Sequence, residues 1–343
     1  MDKMFDVFGR FDDQDVYKIS LSNGGLSASI LTWGATLQDL RLDGHSSPLV
    51  LGLNTLDDYI AHAPYFGATV GRFANRIDQG RFSLDGQAYQ VDQNETSGNH
   101  LHGGVSGISH RVWRVVDHGQ SFVVLSILDQ DGQSGYPGNC EITCRYELKD
   151  DGILEITFSS TTDKTTLVNI AHHSYFNLDG SDSIYDHQLQ INAEHYLPVS
   201  DNLIPSGEIK SVENTDFDFT SLRPIRTEAG FIEYDHNFCF HNKTGAKARN
   251  EHQHIVTLTS ALSGVSMDVY SAEPGVQFYT GFGVQSNADG LSGVPYQAGA
   301  GLCLETQIWP DAPNHDAFPS AVLKPGETLV QKTEYRFSKN NGS

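Results

Sequence analysis

The chain has 343 residues and carries 43 acidic side chains against 22 lysines and arginines, a formal net charge of -21. Such a molecule is repelled by phosphate backbones and by anionic lipid, which argues against nucleic acid and membrane surfaces as partners. The length suffices for two ordinary domains or for one large all-β domain with a sizeable core.

Met1 to Asp15 breaks its short apolar patches with charges and lacks the continuous apolar stretch of a signal peptide. No segment approaches the length of a membrane span, so the expected compartment is the cytoplasm. Cys140, Cys144, Cys239 and Cys303 form neither CxxC pairs nor a dense framework, the pattern of reduced, buried thiols. Cys140 and Cys144 share one face of any strand through them, but no second Cys or His pair stands nearby at zinc spacing. No metal is expected.

In chain order, short alternating runs predict strands at Tyr17 to Ser22, Leu26 to Trp33 and Thr36 to Leu42, then at Val112 to Asp117, Phe122 to Leu128 and Ile142 to Leu148. Asp85-Gly86, between Arg81 to Leu84 and Gln87 to Val91, is a strong hairpin signal. Further strands are expected at Ile153 to Ser159, Thr165 to Ile170, Gln188 to Ile191, His254 to Thr259, Val265 to Tyr270, Val276 to Thr280 and Thr328 to Phe337. Helical periodicity is confined to short candidates at Thr55 to Ala61 and Ser221 to Pro224. The architecture expected is therefore all-β, a large antiparallel β-sandwich. No linker, charge run, low-complexity segment or short repeat divides the chain, so a single domain over 1–343 is expected.

Six segments could carry chemistry. Gly71 to Ile77 holds Arg72 and Arg76 four apart with Asn75 between them, a cluster of planar donors or a pair of arginines held by surface carboxylates. Asn99 to Gly104 holds a His-x-His, His100 and His102, whose rings share one side of an extended chain. Gly103 and Gly104 let a backbone or ligand approach closely. His172 and His173, adjacent on a strand, point to opposite faces, so at most one readily joins a pocket. Asp235 is a turn residue or, with Gln277, a partner for sugar hydroxyls; Phe278 and Tyr279 would suit the apolar face of a pyranose. In Gly301 to Asp311 a period of two puts Cys303, Glu305 and Gln307 on one face and Leu302, Leu304 and Thr306 on the other. Glu305 is then a solvated strand residue or a desolvated carboxylate whose presence calls for a reason, such as a general base.

Taken together, Gly71 to Ile77, Asn99 to Gly104, His173 to Leu178, Tyr196 to Val199 with Ile204 to Glu208, Asp235 to Phe238, Pro274 to Tyr279 and Leu304 to Pro310 resemble the aldose 1-epimerases, the galactose mutarotases. The resemblance runs in order over nearly the whole chain. It implies the large sandwich of that family (the galactose mutarotase-like supersandwich) and interconversion of the α and β anomers of free hexoses, galactose or glucose, without a cofactor. It also implies Glu305 as the base that removes the anomeric proton, His173 as the acid that protonates the ring oxygen and His102 as its assistant. Asn75, Arg76, Asp235 and Gln277 would hold the remaining hydroxyls. Opposite charges on Glu305 and His173 would stabilise each other's working state, giving a bell-shaped pH dependence of the rate. Where the family usually reads Asn-His, this chain reads His172-His173; alignment on Ser174 to Leu178 selects His173.

Three other functions compete. A glycoside hydrolase could use Glu305 and Asp235 as its carboxylate pair, leaving the histidines idle. A metal-dependent oxygenase could use His100, His102 and either His172 or His173 as ligands, although no carboxylate closely follows the His-x-His. A sugar-binding protein would need the donors but neither the acid nor the base. Phosphorylated hexoses would call for added basic residues, which the acidity of the chain opposes. The expected partner is a small aldose, with the protein a monomer or weak homodimer.

Overall fold

The computed structural model describes residues 4–62, 65–228, 230–240 and 252–339. Two antiparallel sheets form the main layers. The larger has nine strands, in the order Arg114–His118, Phe122–Asp129, Cys140–Lys149, Ile153–Thr162, Leu329–Lys339, Val265–Ser271, Gln253–Thr259, Gln188–Ile191 and Arg223–Pro224. The smaller has six, in the order Tyr175–Phe176, Leu302–Gln307, Gly275–Tyr279, Asp235–Cys239, His195–Tyr196 and Lys210–Ser211. A four-stranded meander, Phe5–Phe11, Gln14–Asn23, Leu26–Leu31 and Thr36–Leu42, adds its own buried face.

One continuous core joins these layers. Ile142, Tyr146, Ile156, Met267 and Val269 enter it from the large sheet, and Phe176, Phe238, Val276, Phe278, Leu302 and Leu304 enter from the small one. Ile19, Ile30 and Leu37 of the meander belong to the same cluster. Each such side chain contributes about 1.5–3 kcal/mol by leaving water. Cys140 and Cys144 pack here too, and all four cysteines are free and buried.

Most strands form where alternation predicts them, some shorter and some, such as Gln14–Asn23, Cys140–Lys149 and Ile153–Thr162, longer. Asp85 and Gly86 both take positive φ, 50° and 78°, as a tight hairpin between Arg81–Leu84 and Gln87–Gln90 requires. The run Thr165 to Ile170 yields only Thr166–Leu167, after which the chain pairs elsewhere as Ala171–His172. The helix expected at Thr55 is Leu56–His62, capped by Thr55, whose hydroxyl accepts the Asp58 N–H at 3.1 Å. The helix expected at Ser221 to Pro224 does not form. Arg223–Pro224 is an edge strand against Gln188–Leu189, where a residue without an N–H is tolerated. Among the described residues no helix is long and apolar enough to cross a membrane.

Candidate active site

All six residues of Leu302–Gln307 are buried, but for two different reasons. Leu302 and Leu304 turn into the core between the sheets, whereas Glu305 turns the other way and lines a cavity of about 270 Å³. Its carboxyl is 2% exposed, and Oε2 has no hydrogen-bond partner among the described residues. Burial, reinforced by the Asp235 carboxylate and opposed by the Arg76 guanidinium, raises its pKa well above the usual 4.5.

The other carboxyl oxygen, Oε1, lies 3.7 Å from His173 Nε2. His173 is carried between two short strands and pinned by its backbone: its N–H donates to Ala68 O at 2.9 Å, and its C=O accepts the Gly67 N–H at 3.0 Å. Its Nδ1 lies 3.5 Å from Cys303 Sγ, and burial lowers the imidazole pKa to about 4. Burial therefore works against the charged form of both partners. The opposite-charge resting pair expected from the sequence meets this penalty.

His172 faces the opposite way, into the core, with its Nδ1 3.4 Å from Tyr146 Oη and its ring against Tyr335. The alternation of a strand thus separates the two neighbours, and His173 is the one beside Glu305.

His102 reaches the same cavity by a turn. Its φ is 52°, and its Nδ1 accepts the Asn75 N–H at 3.1 Å, so the neutral ring carries its proton on Nε2. Burial, then the neighbouring His173 and Arg76, lower its pKa well below 6.5. Gly103 packs so tightly on the Gly71 carbonyl that a Cβ would lie 1.7 Å from its oxygen. The close approach served by this glycine is therefore to backbone. Because His102 leaves the extended conformation, the His-x-His rings diverge. His100 is buried elsewhere, donating to Asp92 O at 2.7 Å and accepting from Tyr136 Oη at 2.6 Å.

Ligand atoms of His102, His173 and Glu305 lie within 4.8 Å of one another, a triad that could be mistaken for a metal centre. The donor set fits poorly: with Nδ1 taken by a backbone N–H, neutral His102 offers a donor N–H where a metal needs a lone pair.

The two arginines part company as well. Arg72 is fully buried outside the cavity, bonding Asp129 at 2.8 Å and the carbonyls of Pro137 and Gly138 at 2.9 Å. Arg76 lines the cavity, forked onto Glu95 (Nε–Oε2 3.0 Å, Nη2–Oε1 2.9 Å) and reaching Asp235 Oδ2 at 3.5 Å. Burial opposes its charge, but Asp235 and Glu95 outweigh this and raise its pKa. Asp311 fixes the strand of Arg76: its N–H donates to Arg76 O at 2.8 Å, and its Oδ1 accepts the Asp78 N–H at 2.9 Å.

Asp235 lines the cavity and accepts Gln277 Nε2 at 2.6 Å, so Gln277 reaches the site through Asp235. Arg76 and Gln277 thus engage one carboxylate oxygen of Asp235 each. Asn75 Oδ1 accepts the Arg76 N–H at 2.8 Å, which orients its amide NH2 as the donor for a ligand. Tyr65, Tyr175 and Tyr279 provide aromatic walls. Phe278, expected to share that role, points into the core because it alternates with Tyr279. The sequence gives no signal for Glu95, which sits in the polar run Gln93 to Thr96, nor for Tyr65, Phe282 or Gln285.

The family model described as Aldose 1-epimerase matches residues 17–336. The galactose mutarotase of Bos taurus is 41% identical over 335 residues, 94% of either chain. The aldose 1-epimerase of Escherichia coli K12 is 36% identical over 331 residues, covering 92% of this chain and 93% of that one. Among solved structures, an aldose epimerase homologue from C. elegans superposes with a TM-score of 0.87 at 32% identity, over 94% of this chain and 99% of that one. Galactose 1-epimerase from Lactobacillus acidophilus gives 0.81 at 27% identity, over 98% of each.

Proposed function

Since the chain belongs to the aldose 1-epimerase family, we propose that Glu305 and His173 open and close the ring of a free hexose, galactose or glucose, by moving two protons in concert. The protein is an isomerase that interconverts the anomers of aldoses. Ring opening breaks the bond between the anomeric carbon and the ring oxygen. Ionised Glu305 takes the proton of the anomeric hydroxyl as protonated His173 gives one to the ring oxygen. Both oxygens sit on one carbon, which suits an acid and a base 3.7 Å apart. The step leaves a carboxylic acid and a neutral imidazole, the arrangement that burial favours in this cavity. Rotation about the bond between carbons one and two presents the other face of the aldehyde, and the same groups run the transfers backwards.

His102 donates Nε2–H beside the ring oxygen, while Asn75, Arg76, Asp235 and Gln277 hold the other hydroxyls and keep the sugar between acid and base. The observation that carries this reading is the unpartnered Glu305 Oε2 beside His173 in a cavity of about 270 Å³, near the small end of ligand sites. We also read the chain as one domain acting in the cytoplasm, supported by the four unpaired, buried thiols. Magnetisation transfer between the two anomeric protons of equilibrated galactose tests the activity. Exchange that grows with added protein is expected; none from folded protein, with galactose or with glucose, would refute it.

A further inference from the structure

Arg76 is the only Lys or Arg among the described residues lining the cavity, and carboxylates already engage it. Glu95 engages Nε and Nη2 together, while Asp235 stands 3.5 Å from Nη1. One guanidinium thus lies between two carboxylates, and of the acidic groups Asp235 and Glu305 line the cavity itself. The Arg76 and Glu95 side chains are only 11% and 20% exposed, so water screens the pair weakly. A guanidinium in this place without Glu95 would be a receptor for phosphate or carboxylate, since its planar donors match either one bidentately.

Glu95 is built to stay where it is. Its N–H donates to Asn99 O at 3.2 Å, and its C=O accepts the Gly98 N–H at 3.0 Å. The preceding Asn94 clasps Leu101 from both sides, accepting its N–H at 2.7 Å and donating to its carbonyl at 3.0 Å. The loop is therefore tied to the strand that delivers His102.

We propose that Glu95 is a specificity-determining residue that occupies the anion-binding face of Arg76 and so keeps the site for uncharged aldoses, turning away sugars that bear a phosphate or a carboxylate. The proposal rests on the epimerase reading. It goes beyond that reading by naming the class of aldose refused and the residue responsible. A Glu95 that only oriented Arg76 would affect every sugar alike, whereas a charge filter changes the ratio between sugars.

The test compares kcat/KM for galactose, galacturonate and galactose 6-phosphate in the wild type and in Glu95→Gln, by magnetisation transfer between anomeric protons at low and high salt. Glutamine keeps the size and one acceptor for Arg76 while removing a full negative charge. The wild type is expected to disfavour both anionic sugars. The variant is expected to raise the anionic-to-neutral ratio about tenfold at low salt, with the gain shrinking as salt rises. An unchanged ratio, or a wild type that turns over anionic sugars as well as galactose, would overturn the proposal. Should the variant fail to fold, the wild type decides with 6-amino-6-deoxygalactose: retained turnover of this cationic sugar beside loss of the anionic ones supports the filter, and equal loss of both overturns it. A wild type inactive on every sugar would refute the epimerase reading itself, and this proposal with it.

Discussion

His173 and Glu305 face each other across 3.7 Å, Nε2 to Oε1, from two segments 132 positions apart in the sequence, and both are almost fully buried. Burial disfavours the charge on each, yet the proposed proton transfers start from the pair carrying opposite charges. That tension gives the site its predictions.

The neighbouring histidines separate catalysis from stability. His173→Asn is expected to lower kcat by about 10²–10⁴-fold, the usual range for losing a general acid, with little change in the melting temperature. His172→Asn removes a ring packed against Tyr146 and Tyr335 and is expected to cost about 1–3 kcal/mol of stability, leaving kcat of the folded fraction close to wild type. Kinetics and denaturant unfolding of both variants check this; the reverse order would move the acid to His172.

For the rate, the working form of the pair holds one proton in all. Burial pushes the His173 pKa down to about 4 and the Glu305 pKa well above 4.5, so the singly protonated pair spans a wide range. A broad bell is expected for kcat against pH, its acid limb well below the ordinary imidazole pKa and its alkaline limb above the ordinary carboxylate range. An acid limb near 6.5 would show that His173 titrates as a solvated ring.

Stability should fall on acidification for a related reason outside the cavity. Burial lowers the pKa of His100 to about 4 and of His172 to about 3. Below an unfolded pKa of about 6.5 the unfolded chain binds protons that the folded one refuses, so the stability present above that value is lost as pH falls toward 4. Between pH 7 and pH 5 each ring is expected to cost about 2 kcal/mol. Urea unfolding at the two pH values checks the loss, which should be shallower in His172→Asn.

The arginines divide in the same manner. Arg72→Lys cannot reproduce the bonds to Asp129 and to two carbonyls, and is expected to cost about 3–5 kcal/mol while sparing activity in the folded fraction. Arg76→Lys is expected to raise KM about tenfold with a smaller loss of stability. Melting curves and Michaelis plots separate the two outcomes.

Much of this was legible in the sequence because strands alternate. The period of two placed Glu305 opposite Leu304 and set His172 and His173 on opposite faces. Alternation failed where the backbone leaves the extended region. Asn75 and His102 take φ of 64° and 52°, so spacing could not show that Arg72 and Arg76, or His100 and His102, part company. Glu95 was invisible because its partner comes from another segment, and a loop carries no period to expose it. Phe278 was misassigned because a run of two aromatics was read as one face, which a strand does not permit.

The most direct measurement dissolves crystalline α-D-galactose and follows optical rotation with no protein, with the wild type and with Glu305→Gln. Faster relaxation to the same final rotation with the wild type, lost by about 10³-fold or more in a folded Glu305→Gln that still binds the sugar, is the predicted result. A Glu305→Gln protein that accelerates relaxation as the wild type does would contradict the assignment of Glu305 as the base.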